Sequence, residues 1–241
     1  MPKPMAAAMR PSEVEIYRID LARLDAHPSC LSDDERARAG RFHFAPDRAR
    51  FVACRIALRH ILAKVLGVQP AGVQFAFGAH GKPEIARDHN QGDWRFNLSH
   101  SGDIALVAVT QGRPIGIDIE MLRPLPRQMM EILPSLSLAE QSALQLVGGP
   151  ARTKAFLRCW TRKEAVIKAI GAGLTLDLAS FTVSIGTDIE PVIWQTAAIP
   201  GLCQWSLHAL DQLCAKPEPF IAALAVGGAI GSIRLVNFQP T

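Results

Sequence analysis

The chain has 241 residues, 49% of them hydrophobic and 20% charged, with a formal net charge of +4. That balance belongs to an ordinary globular protein with enough chain for one large domain or two small ones, not to a disordered or fibrous one. So modest a charge, with a single tyrosine and no aromatic stacking motif, counts against a nucleic-acid-binding module, and the longest uncharged apolar run, Phe220 to Ile233, is too short to span a bilayer.

Residues 1–12 read as a loose tail without the apolar stretch of a secretion signal. Val14 to Ile19 alternates apolar and polar residues, the pattern of a half-buried strand. Ser32 and Glu35 have capping-box spacing and open a helix. A long helix is predicted from about Asp47 to Leu66, stopping at Gly67. Arg48, Arg55 and Arg59 share one of its faces, and Phe51, Leu58, Leu62 and Val65 supply the apolar side. Val73 to Phe77 reads as a short strand, followed by a glycine-bracketed loop, Gly78 to Pro83, that holds Lys82. Ser99-His100 is placed in a turn ahead of a buried strand, Ile104 to Val109. Gln111 to Pro114 is a turn, Ile115 to Glu120 a strand, and Arg123 to Arg127 a connector.

Ser137 and Glu140 form a second capping box. A proline-free helix is then predicted over Phe156 to Gly173, with glycines at its C-cap. Phe156, Trp160, Glu164 and Lys168 fall four apart on one face, and Leu157, Val166, Ile167 and Ile170 suit the core side. Strands follow at Phe181 to Ile185, Val192 to Trp194, Trp205 to Leu210 and Phe220 to Val226.

The two halves repeat one order of elements. Leu31, Ser32, Glu35, Phe51 and Cys54 recur as Leu136, Ser137, Glu140, Phe156 and Cys159, each 105 positions later. Ile104 to Val109 likewise resembles Ile221 to Val226. The expected architecture is α+β, a duplicated unit divided at 1–112 and 113–241 with a cleft between the halves. One chain would form the whole cleft, so a monomer is expected. The five cysteines (Cys30, Cys54, Cys159, Cys203 and Cys214) form no CxxC and are odd in number, which suits a reducing cytoplasm and argues against a zinc ribbon or disulfide framework.

Asp118 and Glu120, two apart on a predicted strand, point to the same side and are hard oxygen ligands of the kind Mg²⁺ takes. A solvated acidic strand end has the same spelling. Ser99-His100 is compatible with phosphate contact or with a plain turn; neighbouring side chains do not make a serine-base pair, and no GxSxG elbow is present. Lys82 in its glycine loop suits phosphate too, without a Walker motif. The segment from Arg36 to Lys64 carries eight basic residues and one acid, Asp47, which fits either a phosphate-bearing partner or a solvated helix face. His27, His89 and His208 have no metal-ligand spacing.

Taken together, GKP (Gly81 to Pro83), FNLSHSG (Phe96 to Gly102), GIDIE (Gly116 to Glu120) and WTRKEAVIKAIGAGL (Trp160 to Leu174) resemble the long, two-half class of 4′-phosphopantetheinyl transferases. The resemblance runs from about Leu31 to Leu174. It implies two similar α+β subdomains related by a pseudo-twofold axis, with the active site in the cleft between them. It also implies an enzyme of the holo-[acyl-carrier-protein] synthase type, which moves the phosphopantetheine arm of coenzyme A onto a serine of an apo acyl, peptidyl or aryl carrier protein in fatty-acid, polyketide or nonribosomal-peptide synthesis. Carried over by motif, Asp118, Glu120 and Glu164 would hold Mg²⁺, and Arg38, Gly81, Lys82, Asn97, Ser99, His100, Asp118 and Lys168 would contact coenzyme A. Glu164, Lys168 and His100 are the implied catalytic residues, with Glu164 as base. Two positions depart from the pattern: Glu35 stands where some relatives have a second basic residue, and Phe51 where some have a hydroxyl.

The chemistry suits these residue types, since phosphoryl transfer needs charge neutralised on the pyrophosphate and an aligned attacking oxygen. Neither Asp118 nor Glu164 reads as a core residue. The competing readings are another Mg²⁺-dependent phosphoryl-transfer enzyme using the same carboxylates, or a nucleic-acid-binding module on the basic helix.

Overall fold

A computed structural model of the chain describes residues 13–24, 28–125, 129, 131–187, 191–195, 205–211 and 220–239. The amino-terminal 12 residues, His27, Pro126, Arg127, Cys203 and Cys214 lie outside them.

The described residues form a mixed α+β fold in four layers: helix, sheet, sheet, helix. The first sheet has the order β11 (Ser232–Asn237), β1 (Glu13–Asp20), β5 (Ile104–Gln111), β4 (Trp94–Ser101). Strand β1 runs parallel to β11 and antiparallel to β5, with Tyr17 opposite Val107. The second sheet is antiparallel, in the order β6 (Ile115–Met121), β10 (Phe220–Gly227), β9 (Trp205–Ala209), with Asp118 opposite Ala223. Two short hairpins, β2–β3 (Phe75–Phe77, Pro83–Ile85) and β7–β8 (Phe181–Val183, Ile193–Gln195), complete the strands.

The period-two patterns explain the layering. In β1, Val14 and Ile16 point into a core between the two sheets, while Tyr17 and Ile19 point toward the first long helix. In β6, Ile115, Ile117 and Ile119 join the intersheet core, which leaves Gly116, Asp118 and Glu120 on the opposite face. Each such isoleucine contributes roughly 1.5–3 kcal/mol on burial. Helix α2 (Ala45–Leu66) covers the outer face of the first sheet, and α4 (Gly149–Ile170) packs on the face of the second sheet that bears Asp118.

Both predicted capping boxes form, Ser32 with Glu35 opening α1 (Asp33–Gly40) and Ser137 with Glu140 opening α3 (Leu138–Gln145). Each capping glutamate also receives a cation from the long helix that follows. Arg55 Nε and Arg59 Nε donate to Glu35 at 2.5 and 2.6 Å, and Lys163 Nζ lies 2.9 Å from Glu140 in a fully buried pair. Both long helices end at left-handed glycines, Gly67 and Gly171, a conformation that costs a side chain far more.

Several boundaries differ from expectation. Helix α4 begins at Gly149, ahead of Phe156, and α2 begins at Ala45 with Pro46 in its first turn, where a missing N–H costs nothing. Ser99 and His100 lie not in a turn but on β4, which ends only at Ser101 before the positive-φ Gly102. Strand β11 was not anticipated; its mostly exposed alternation carries little hydrophobic signal.

Candidate active site

Strand β4 stitches the two sheets together through its odd-numbered side chains. β6 is the outer strand of its sheet, so half its backbone groups have no strand neighbour. Asn97 Oδ1 accepts from the Ile117 N–H at 2.9 Å, and Ser101 Oγ accepts from the Met121 N–H at 2.9 Å. Between them Ser99 Oγ donates to Asp118 Oδ1 at 2.8 Å, and Ser101 Oγ donates to Glu120 Oε2 at 3.0 Å. The run NLSHS therefore reads as a strand whose buried face is polar because it supplies the bonds a neighbouring strand would.

From the other side, α4 brings Lys168 Nζ to 2.6 Å from Asp118 Oδ1 and 3.1 Å from Ser99 Oγ. The helix approaches this closely because position 116 has no side chain: a Cβ there would sit 2.0 Å from Ala165 O and 2.4 Å from Ala169 N. Asp118 is only 4% exposed, against the expectation that it lies outside the core. Glu164, one turn before Lys168, is half-buried.

The electrostatics are those of three acids in one field. Burial raises the pKa of Asp118, with Lys168 and Ser99 pulling it back. Burial, then the Asp118 charge, raises Glu120; burial, then Asp118, raises Glu164. Among the described residues no three His, Cys, Asp or Glu side chains are already gathered as a metal cluster. Lys168 is the cation that faces these acids, on Asp118 Oδ1. The donor set nevertheless fits Mg²⁺: all are hard oxygens, and Asp118 Oδ2 is buried without a hydrogen-bond partner among the described residues.

Two adjoining cavities converge here. One of about 450 Å³ is lined by Arg38, Phe51, Arg55, Gly81, Asn97 and His100, among others. The second, about 300 Å³, is lined by Gly81, Lys82, Asn97, Glu164 and Lys168. They share Gly81, Pro83, Asn97 and Leu98. Ser99 and Asp118 reach this space through Lys168. His100 faces away from Ser99, as strand alternation requires, and keeps an exposed face. Partial desolvation, then Lys168 and Arg50, hold its pKa below the ordinary histidine value.

Arg38 is exposed, with its guanidinium carbon 5.5 Å from the Phe51 ring centroid. Arg55 and Arg59 do not form the expected basic surface. Arg59 is 2% exposed and donates to Glu35, to Pro70 O at 3.0 Å and to Val73 O at 3.1 Å. Arg55 pairs with Glu35 and stacks on Phe75, 4.4 Å from its centroid. Burial alone would raise the Glu35 pKa, but Arg55, the Ser32 N–H and Arg59 together hold it below the usual carboxylate range. Lys82 Nζ donates to backbone carbonyls, Lys168 O at 2.6 Å, Ile115 O at 3.1 Å and Ala169 O at 3.5 Å, and burial lowers its pKa to about 8.

Comparison with known proteins bears on the same residues. Residues 20–112 match the family model described as 4′-phosphopantetheinyl transferase, N-terminal, and residues 114–224 that of the 4′-phosphopantetheinyl transferase superfamily. The 4′-phosphopantetheinyl transferase HetI of Nostoc is 38% identical over 235 residues, covering 95% of this chain and 93% of that protein. The chain belongs to the 4′-phosphopantetheinyl transferase superfamily. It is also similar to the 4′-phosphopantetheinyl transferase Sfp of Bacillus subtilis, 31% identical over 160 residues (66% of this chain, 69% of that protein). The transferase AcpT of Escherichia coli is 35% identical over 160 residues (65% and 74%).

Within this phosphopantetheinyl transferase, sequence reasoning missed Ser101 and the steric role of Gly116. The period-two spacing of Asn97, Ser99 and Ser101 was the available signal for the first. Nothing local marks the second, because its cause is a helix about 50 residues away.

Proposed function

We propose that this chain transfers the 4′-phosphopantetheine arm of coenzyme A to a serine of an apo acyl, peptidyl or aryl carrier protein, releasing adenosine 3′,5′-bisphosphate. The observation that carries the reading is the buried Asp118, unsatisfied at Oδ2 and held by Lys168 and Ser99, with two further carboxylates sharing its field. Coenzyme A would lie along the adjoining cavities, with Arg38 and His100 at one end, Gly81 and Asn97 where the two meet, and Lys168 at the other end.

Asp118, Glu120 and Glu164 are the residues to hold Mg²⁺, which when bound supplies charge neutralisation at the pyrophosphate. Lys168 places a second positive charge on the same groove. Glu164, half-buried on the same groove one turn before Lys168, is the residue to accept the serine proton. His100, disposed toward its neutral form, is available as a hydrogen-bond partner for a phosphate oxygen.

The duplicated architecture belongs to the same proposal, with halves at 1–112 and 113–241 and a pseudo-twofold relation between them. The repeated capping-box glutamate with its buried cation supports it. The holo-[acyl-carrier-protein] synthase subtype and a monomeric state belong to the same proposal. No helix among the described residues is long and apolar enough to cross a membrane.

Intact mass spectrometry of apo carriers incubated with the protein, coenzyme A and Mg²⁺ tests the reading. A gain of one phosphopantetheine that disappears with EDTA is expected. No gain on acyl, peptidyl or aryl carriers, together with no coenzyme A binding, would overturn it.

A further inference from the structure

Lys82 is the residue whose surroundings disagree most with its implied role. The resemblance makes it a coenzyme A phosphate contact, yet its ammonium sits among carbonyl oxygens of two separate elements. The last carbonyls of an α-helix have no intrahelical donor. In α4 the Gly171 N–H satisfies Ile167 O at 2.9 Å, and the next two carbonyls, Lys168 O and Ala169 O, are the ones Lys82 Nζ reaches. Its other partner, Ile115 O, is the first carbonyl of β6, on the sheet's outer strand. A positive charge at this end of a helix also complements the helix dipole.

The same junction is where Gly116 lets α4 rest on β6, and where Lys168 meets Asp118 two residues beyond Gly116. A Cβ at Gly171 would lie 3.8 Å from Lys82 Cδ, so the lysine stem runs past the helix C-cap before its head turns inward. Three carbonyls thus face the three donors of the ammonium, Lys168 O and Ile115 O at 2.6 and 3.1 Å and Ala169 O farther off at 3.5 Å.

We propose that Lys82 is a positioning residue, an internal clamp that ties the end of α4 to the start of β6 and so sets the Lys168–Asp118 contact. It does not hold coenzyme A. The inference rests on the proposed transfer reaction for its catalytic consequence only.

The test compares wild type, Lys82→Met and Lys82→Arg by apo-protein melting, coenzyme A affinity by calorimetry, and kcat for transfer to an apo carrier. A clamp predicts that both variants lower the apo Tm by several degrees and kcat by about tenfold or more, since small misplacements in a reactive geometry are costly. Coenzyme A affinity should fall no further in Lys82→Met than in Lys82→Arg, since any loss comes through a displaced Lys168 and not through a missing phosphate contact. Arginine is the discriminating variant. Its planar fork suits phosphate but not three converging carbonyls, so a phosphate contact would survive the change and a clamp would not. An unchanged apo Tm in Lys82→Arg, an unchanged kcat, or a tenfold weakening of coenzyme A in Lys82→Met that Lys82→Arg does not share overturns the proposal. If Lys82→Met fails to fold, Lys82→Arg alone decides. Absence of transfer by the wild type would instead sink the functional reading, while apo stability and coenzyme A affinity would still judge the clamp.

Discussion

Lys168 and Asp118 lie 50 positions apart on a helix and a strand, yet their charged atoms meet at 2.6 Å over a floor made by Ser99. A buried carboxylate beside an ammonium that is partly open to the groove is an asymmetric pair: the acid is fixed and the base is reachable. The arrangement gives one cationic arm to the groove while keeping one carboxylate oxygen free for a metal.

Lys168→Met should therefore reduce transfer by about 10²-fold or more, the size typical of losing one preorganised charge at a developing anion. Asp118→Asn should do the same and abolish the EDTA sensitivity of any residual rate. Steady-state kinetics at saturating Mg²⁺, with circular dichroism to confirm folding, checks both. A rate within threefold of wild type for either variant would refute these roles.

Gly116→Ala should destabilise the protein by about 1–3 kcal/mol or more, because overpacking at a backbone contact has no flexible side chain to yield. The new Cβ would fall 2.0 Å from Ala165 O, so α4 must lift from β6. Urea unfolding measures the loss, and transfer activity should fall with it.

Glu35→Gln tests the core ion-pair network of the first half. The folded pKa of Glu35 is depressed, so its charge contributes stability that is complete above the unfolded value, about 4.3, and disappears as pH falls through the lower folded value. The stability gap between wild type and Glu35→Gln should be largest near neutrality and narrow as pH falls below about 4.3. A gap that does not change between pH 7 and pH 3 would show that the carboxylate charge is not what Arg55 and Arg59 need.

Lys163→Met should be the most damaging of these for stability, about 3–5 kcal/mol, because it strands Glu140 in the core. Glu140 also accepts from the Ser137 and Val183 N–H groups, so the acid cannot leave with its partner. Thermal melting checks this, and transfer by the surviving folded fraction should remain near normal.

The capping boxes, the glycine stops and the face shared by Trp160, Glu164 and Lys168 were legible in the sequence because each depends on residues within a few positions of one another. So was the side of β6 that carries Asp118 and Glu120, since flanking isoleucines must turn inward. The tertiary structure alone decided that Arg55 and Arg59 belong to Glu35, that β11 joins β1, and that Ser99 and His100 part company on a strand. It also decided that Lys82 meets carbonyls 33 and 86 positions away. Local periodicity fixes which way a side chain points, whereas what a charge meets depends on which distant element packs across from it.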